Sequence, residues 1–492
     1  MSQFNNTNDT ICAIATANGI GAIGLIRVSG SKSLEIVSAV FSKSLVEKPT
    51  HTVHFGTILS ENKDIIDEVL VSIFHQGKSF TGEESAEIAC HGSPYIQQQI
   101  MRVLLQNGCR LAEPGEFTMR AFMNGKMDLS QAEAVADLIA SQSKNAHTIA
   151  MKQMRGGFSN ELKEIREKLI NFASLIELEL DFAEEDVEFA DRTQLKLMVK
   201  EVLLYIQKLA KSFELGNAIK NGVPVAIVGA PNTGKSTLLN TLLGEDRAIV
   251  SNIEGTTRDV IEETLNIDGI VFRLIDTAGI RESVDTIENL GIERSLEKIN
   301  QAQIVVVMSD FSEKGSELEG HASMDTLTAK EWIEKLQAEH PDKKFVLVGN
   351  KSDLRSEASL RYVTIENRDT QSDLLTNTVE NLDTQSDHIT FIPVSAKKGL
   401  GIDDLKHWIV NQLTENFDIA NDTIVSNLRH YEALKKTEVS LQKAQEGLHS
   451  LTTSDWIAMD IRQAMYDLGT ITGDISTDDL LGNIFSKFCI GK

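Results

Sequence analysis

The chain has 492 residues and carries 48 Lys and Arg against 72 Asp and Glu, a formal charge of −24. At roughly 100–200 residues per domain this length implies about three domains, and 41% hydrophobic with 24% charged residues is the make-up of a protein with a real core. So acidic a chain excludes a general nucleic-acid coater, whose grip on phosphate rests on Lys and Arg. The first basic residue is Arg27, so residues 1–26 have neither the charged n-region of a signal peptide nor the Arg-rich make-up of a transit peptide. No run approaches the roughly 18–20 apolar residues of a membrane span. Cys12, Cys90, Cys109 and Cys489 lie far apart with no CxxC pair, as expected of reduced thiols in the cytoplasm.

Residues 1–125 read as an α+β domain, with β-branched runs at Ile11–Ala15, Ile23–Val28, Val69–Phe74 and Ala86–Cys90 separated by turn residues. Through Asp128 there are ten basic and thirteen acidic residues, so this region holds only −3 of the total charge. Gly19, Gly21 and Gly24 spell GxGxxG, but a dinucleotide fold needs a helix next, and Leu25-Ile26-Arg27-Val28 is a strand. The glycines are expected to form a turn or close-approach loop.

From Leu129 to Asn221 the periodicity becomes helical, with Leu162, Ile165, Leu169, Phe172, Leu175 and Ile176 on one stripe. The acidic stretches Glu177–Asp181 and Glu184–Asp191 that follow read as solvated faces. A strand–loop–helix alternation then runs from Val223 to about Leu413, as in a parallel α/β sheet, before helical periodicity returns. The simplest organisation is an α/β domain (222–414) inserted into a discontinuous all-α domain (126–221 and 415–492). Within the insert, Glu366–Asp373 recurs as Glu380–Asp387, a polar duplication expected to form a surface loop.

Gly229-Ala230-Pro231-Asn232-Thr233-Gly234-Lys235-Ser236 is a P-loop between an apolar strand (Val223–Val228) and a helix (Lys235–Leu243). Its backbone N–H groups would cradle phosphate, Lys235 would reach the β- and γ-phosphates, and Ser236 would ligate Mg²⁺. Asp276-Thr277-Ala278-Gly279 ends the strand Phe272–Ile275, beside the metal and γ-phosphate. Asn350-Lys351-Ser352-Asp353 ends Phe345–Gly349, and its aspartate can accept from both guanine N1–H and N2–H₂, a donor pair that adenine lacks. Ser395-Ala396-Lys397, after Phe391–Val394, would close over the base. The set selects GTP. Gly255-Thr256-Thr257-Arg258-Asp259 is the natural first switch, with Thr257 as second Mg²⁺ ligand. The water-orienting Gln of Ras-like enzymes is replaced by Ile280, which leaves Glu282, Asp285 and Glu288 as acidic candidates.

With these motifs, Pro114-Gly115-Glu116-Phe117, Asp128-Leu129-Ser130-Gln131-Ala132-Glu133-Ala134 and the terminal Cys489-Ile490-Gly491-Lys492, the chain resembles the MnmE (TrmE) family of tRNA-modification GTPases over its full length. The resemblance implies a multidomain α/β protein: an N-terminal folate-binding domain that dimerises, a discontinuous helical domain and an inserted Ras-like G domain. It implies an FAD-carrying partner, MnmG (GidA), in a heterotetramer. The pair adds an aminomethyl or carboxymethylaminomethyl group to C5 of the wobble uridine, position 34, of certain tRNAs. The one-carbon unit comes from a 5-formyl or 5,10-methylene tetrahydrofolate.

By matching strings the resemblance places folate contacts at Arg27, Glu87, Lys126 and Lys492, where cations suit folate carboxylates and an acid suits pterin N–H groups. It implies potassium-dependent G-domain dimerisation, with K⁺ contacts at Asn232, Ser251, Ile253 and Thr256, and a catalytic glutamate at Glu288. The implied GTP contacts comprise Asn232, Thr233, Gly234, Lys235, Ser236 and Thr237, then Ser251, Asn252, Ile253, Glu254, Gly255, Thr256 and Thr257. They continue with Asp276, Thr277, Ala278, Gly279, Asn350, Lys351, Asp353, Ser395, Ala396 and Lys397. Cys489 suits one-carbon chemistry or a structural role equally, since nothing beside it in sequence lowers its pKa. A ribosome-assembly or signalling GTPase uses the same nucleotide loops. The N-terminal and terminal strings argue for tRNA modification, with tRNA held mainly by the partner.

Overall fold

The structure is a computed structural model that describes residues 9–181, 192–246, 263–275, 296–312, 326–354, 389–414, 417–419, 421–450, 454–488 and 491. The chain divides into two compact units, one of Met1–Ile139, Met151–Leu204 and Ala433–Lys492, the other of Ala140–Ala150 and Tyr205–Glu432.

In the first unit β1 (Thr10–Ile14), β2 (Ile23–Ser29), β3 (Thr52–Leu59), β4 (Ile65–Phe74), β5 (Ser85–His91) and β6 (Cys109–Leu111) form a sheet in the order β3-β4-β5-β2-β1-β6. All its pairs are antiparallel except β1 with β6. Period-2 alternation decides the faces: Val69, Val71 and Ile73 of β4 point inward, joining Ile26, Val28, Ile88 and the helices α1 (Ser33–Val40) and α2 (Pro94–Gln106) in one core. The other face carries α3 (Glu116–Met123), whose Phe117 packs on Ile11 and Ala13. Gly19 and Gly21 lie in the turn before β2, whereas Gly24, expected with them in a turn or loop, is the second residue of the strand and packs closely on α2. A Cβ on Gly24 would lie 2.3 Å from Gln97 Nε2.

An ionic cluster ties α3 to the start of β1. Arg120, 5% exposed, donates to Asp9, Glu83 and Glu116, while Arg110 bonds Asp9 and Glu116. Removing the charge from one member would strand the others, which is why such groups are buried only as a set.

Next come α4 (Leu129–Ala140), α5 (Lys144–Met154), α6 (Gly157–Asp181) and α7 (Arg192–Asn221). On α6, Leu162, Ile165, Leu169, Phe172 and Ile176 are buried as the periodicity requires. Leu175, read as part of the stripe, is instead 36% exposed, one step off its axis.

The second unit is built on a sheet of six described strands, β12-β11-β10-β7-β9-β8, comprising β7 (Val223–Gly229), β8 (Glu263–Ile267), β9 (Ile270–Leu274), β10 (Ile304–Asp310), β11 (Lys344–Asn350) and β12 (Thr390–Pro393). All its pairs are parallel except β8 with β9. The continuous apolar runs of β7, β10 and β11 follow from burial on both faces, here by α8 (Lys235–Asp246), α9 (Thr326–Glu339) and α10 (Ile402–Thr414). The later part of α7 belongs to this unit: Ser212 Oγ accepts from Val425 N at 3.0 Å, and Phe213 stacks on Tyr431.

Finally, α11 (Leu428–His449), α12 (Ser454–Thr472) and α13 (Asp478–Phe485) complete the chain. α12 packs on α6, joining helical stretches that the insertion separates in sequence, and Arg166 pairs with Asp474. α13, capped by Thr477 accepting from Leu480 N, buries Phe485 against Met119, Leu129 and Ala132. Gly115 permits this approach. Its φ is 70°, and a Cβ there would lie 2.5 Å from Phe485 O.

Candidate functional site

The nucleotide motifs converge at the carboxyl ends of β7, β10, β11 and β12, where parallel α/β sheets bind ligands. The P-loop turn needs three left-handed backbones: Gly229 (φ 149°), Asn232 (φ 62°) and Gly234 (φ 97°). A Cβ on Gly229 would meet Met308 O at 2.3 Å, and one on Gly234 would meet Asn350 Nδ2 at 2.1 Å. Close packing alone thus requires glycine at both positions.

Lys235 Nζ donates to the carbonyls of Gly229 (2.9 Å) and Ala230 (2.7 Å), bending back over the loop that would hold phosphate. Burial, and then the like charge of Lys298, pulls its pKa down to about 8. Ser236 follows on the first turn of α8. Thr237 is exposed on the same turn.

Asn350 is the structural hub. Buried at 4% exposure, it donates from Nδ2 to Thr233 O (2.8 Å) and accepts Ala396 N at Oδ1 (3.0 Å). One amide therefore links the phosphate loop to the base loop. Thr241 Oγ1 of α8 adds a bond to Ala396 O at 2.8 Å. Asp353 accepts from Ser395 Oγ (2.8 Å) and pairs with Lys398 (3.5 Å). The Ser395 bond holds its carboxyl below the ordinary aspartate range, with Lys398 assisting. Lys351 bonds Asp310 Oδ2 at 2.6 Å, and Lys397 stands exposed beyond Ala396. Burial works to raise the Asp310 pKa, but the bonds from Lys351 and Ser312 outweigh it and hold the carboxyl low.

Asp310, Thr241 and Lys398 went unread in the sequence. Asp310 left a signal, an acid closing the apolar run of β10, whereas Thr241 on a helix face left none.

Ser251, Asn252, Ile253, Glu254, Gly255, Thr256, Thr257, Asp276, Thr277, Ala278, Gly279 and Glu288 lie outside the described residues, as do the duplicated segment, Cys489 and Lys492. Among the described residues no cluster of three or more His, Cys, Asp or Glu is arranged to hold a metal. No described helix is long and apolar enough to cross a membrane.

Two family models match, one described as the MnmE helical domain over residues 129–489 and one as the GTP-binding protein TrmE N-terminus over residues 10–126. A tRNA modification GTPase MnmE of Christiangramia forsetii is 50% identical over 489 residues, covering 99% of each chain. That of Flavobacterium psychrophilum is 51% identical with the same coverage, and that of Bacteroides thetaiotaomicron is 51% identical over 98% of this chain and 99% of its own. The chain belongs to the MnmE family of tRNA modification GTPases. Among solved structures, the G domain of the T. maritima FeoB iron transporter aligns with 38% of this chain and 97% of its own at 22% identity and a TM-score of 0.23, too low to add to that assignment.

In this MnmE-family chain, the described residues that the resemblance assigns to folate, Arg27, Glu87 and Lys126, lie on β2, on β5 and beside the loop of Gly77 and Phe80. Arg27 and Glu87 are directly opposite on β2 and β5, bonded through Arg27 Nε (2.9 Å) and Nη2 (2.8 Å) to Glu87 Oε1. Both bonds end on Oε1, so Oε2 can take a further donor. The Arg27 guanidinium lies over the Phe80 and Phe117 rings, 5.4 and 5.7 Å from their centroids. Lys126 bonds Gly77 O at 3.1 Å, on the loop that presents Phe80. Gly491 seats against Ile14 and Ala15, beside Ala13, the cross-strand partner of Arg27.

Proposed function

We propose that this chain is a potassium-activated GTPase that works with the FAD-carrying MnmG to modify C5 of the wobble uridine of certain tRNAs with a one-carbon unit from tetrahydrofolate. The observation that supports nucleotide chemistry most directly is the Asn350 hub, which joins a P-loop to a guanine-selective loop in one bonded frame. Lys235 would exchange its two carbonyl partners for phosphate oxygens, and Asp353 would accept from guanine. Mg²⁺, held by Ser236 and Thr257, would neutralise phosphate charge. K⁺ near Asn232, Ser251, Ile253 and Thr256 would supply the positive charge that an arginine finger supplies elsewhere, and Glu288 would orient water.

The grouping of Arg27, Glu87 and Lys126 about the Phe80 loop supports a folate site completed by Lys492, with Cys489 close to it. A dimer through the N-terminal domain, a heterotetramer with the partner and a cytoplasmic location complete the proposal. The decisive experiment is nucleoside mass spectrometry of tRNA from a deletion strain. Loss of the C5 modification at position 34 is expected, and an unchanged profile would end the proposal.

A further inference from the structure

Asp67 and His91 form a pair that neither the nucleotide loops nor the folate set uses. Asp67 on β4 is only 8% exposed, and the cost of burying its carboxylate is offset by three donors. Oδ1 accepts from Glu68 N at 2.9 Å and from His91 Nδ1 at 2.7 Å, and Oδ2 accepts from His91 N at 2.8 Å. A carboxylate only accepts, so Nδ1 carries a proton, and Nε2 is left for another partner on a ring that is 70% exposed. The backbone bond alone would pin this corner of the sheet. The ring bond does more, fixing the orientation of an imidazole that is otherwise open to solvent.

His91 shares a sheet face with Glu87 and Ala89, since alternate residues of β5 point the same way. Three successive rungs on that face have distinct chemistry. The first pairs Arg27 with Glu87, the second sets Leu25, Ala89, Leu70 and Phe55 side by side across four strands, and the third pairs Ile23 with His91. Phe55 and Leu70 are 57% and 48% exposed, so the middle rung offers an apolar, partly aromatic floor. From Glu87 to His91 the strand spans about 13 Å. Cys90, next to His91, is no part of this face. It points into the core, where burial and Asp67 push its thiol up to about 11.

We propose that His91, oriented by Asp67, binds the anionic end of an extended ligand laid along β5 from the Arg27–Glu87 rung, with an aromatic middle over Leu25, Ala89 and Phe55. The proposal rests on the folate reading above and names the part of that ligand it concerns, the glutamate carboxylates beyond the aminobenzoyl ring. A carboxylate meets Nε2 in a charge-assisted hydrogen bond, and Asp67 stands on the far side of the ring at Nδ1.

The test compares binding of 5-formyltetrahydrofolate with that of its analogue carrying both glutamate carboxylates as amides, using the full chain by equilibrium titration. The wild type is expected to favour the acid about tenfold, the worth of one charge-assisted hydrogen bond. His91→Gln, at an exposed position, is expected to bind both ligands with the affinity the wild type has for the amide. Asp67→Asn, which touches no ligand, is expected to narrow the difference. Glu87→Gln is expected to weaken both ligands equally and keep the difference. A preference for the acid that survives intact in His91→Gln would overturn the His91 subsite while leaving the folate reading in place. Failure of the wild type to bind either ligand would overturn the folate reading and the subsite together.

Discussion

Burial leaves the Lys235 ammonium with a pKa of about 8, against an ordinary value of 10.5. Between those values the unfolded chain holds a proton that the folded chain has released, so this group's contribution to folding stability rises with pH across that window. Phosphate acts in the opposite direction, since an anion favours the ammonium, and binding therefore takes up a proton above about pH 8. GDP affinity is expected to fall as pH rises from 8 to 9.5, approaching about tenfold per pH unit. Titration calorimetry at pH 8.5 in buffers of different ionisation enthalpy checks the proton uptake. Lys235→Arg, charged throughout, should flatten the profile, and a flat wild-type profile would remove the lysine from phosphate binding. Asn350→Asp is the sharper structural probe, because it sets an acceptor against Thr233 O. A loss of about 2–3 kcal/mol is expected, read by urea unfolding through Trp332 and Trp408 of the same unit. At this scale the sequence exposes motifs well, because the residues of each nucleotide loop stand next to one another in the string. It could not show that Arg27 lies over two aromatic rings, since Phe80 and Phe117 reach it only through the fold.

Elements were legible where one periodicity dominates and obscure where polar residues are buried by partners. β7, β10 and β11 are apolar throughout and plain. β4 begins at Ile65 rather than Val69, because Asp67 and Glu68 look like loop until His91 is seen to hold Asp67. β3 went unread, its Thr52–Leu59 run mixing His54 and Gly56 with apolar residues and leaving one side half exposed. The junction of β1 with α3 belongs to the same class, being built on charge. Burial tends to raise the Asp9 and Glu116 pKa values, but the bonds from Arg110 and Arg120 prevail and hold both below 3.8 and 4.5. Depressed carboxylates stabilise above their unfolded values, and that stability drains away as pH falls through the folded ones. The thermal midpoint of the N-terminal unit is therefore expected to drop steeply below about pH 4.5. Arg120→Met should cost about 3–5 kcal/mol at pH 7 by leaving Asp9, Glu83 and Glu116 facing one another, and chemical denaturation at pH 7 and pH 4 checks both points. A variant as stable as wild type would show that Arg110 alone sustains the cluster.

For the whole molecule, charge distribution is the first guide to partners. Of the −24 total only −3 lies in residues 1–128, so that region is nearly neutral and −21 lies downstream. This chain alone is expected to bind tRNA weakly at 150 mM salt. Filter binding across 50–200 mM salt measures this, and a tight complex with a steep salt slope would contradict it. α12 packs on α6 across a long sequence separation, and no string of residues reveals which helices meet.

The docking of α13 and Gly491 onto the first-made part of the chain carries a consequence for biosynthesis. A ribosome releases residues 9–128 long before it reaches 478–491, and domains otherwise tend to fold in the order of synthesis. Until those late residues arrive, Met119 and Leu129 lack their cover of Phe485, and β1 lacks Gly491 against Ile14. The segment translated first is thus finished last. Its packing would therefore be complete only at the close of translation.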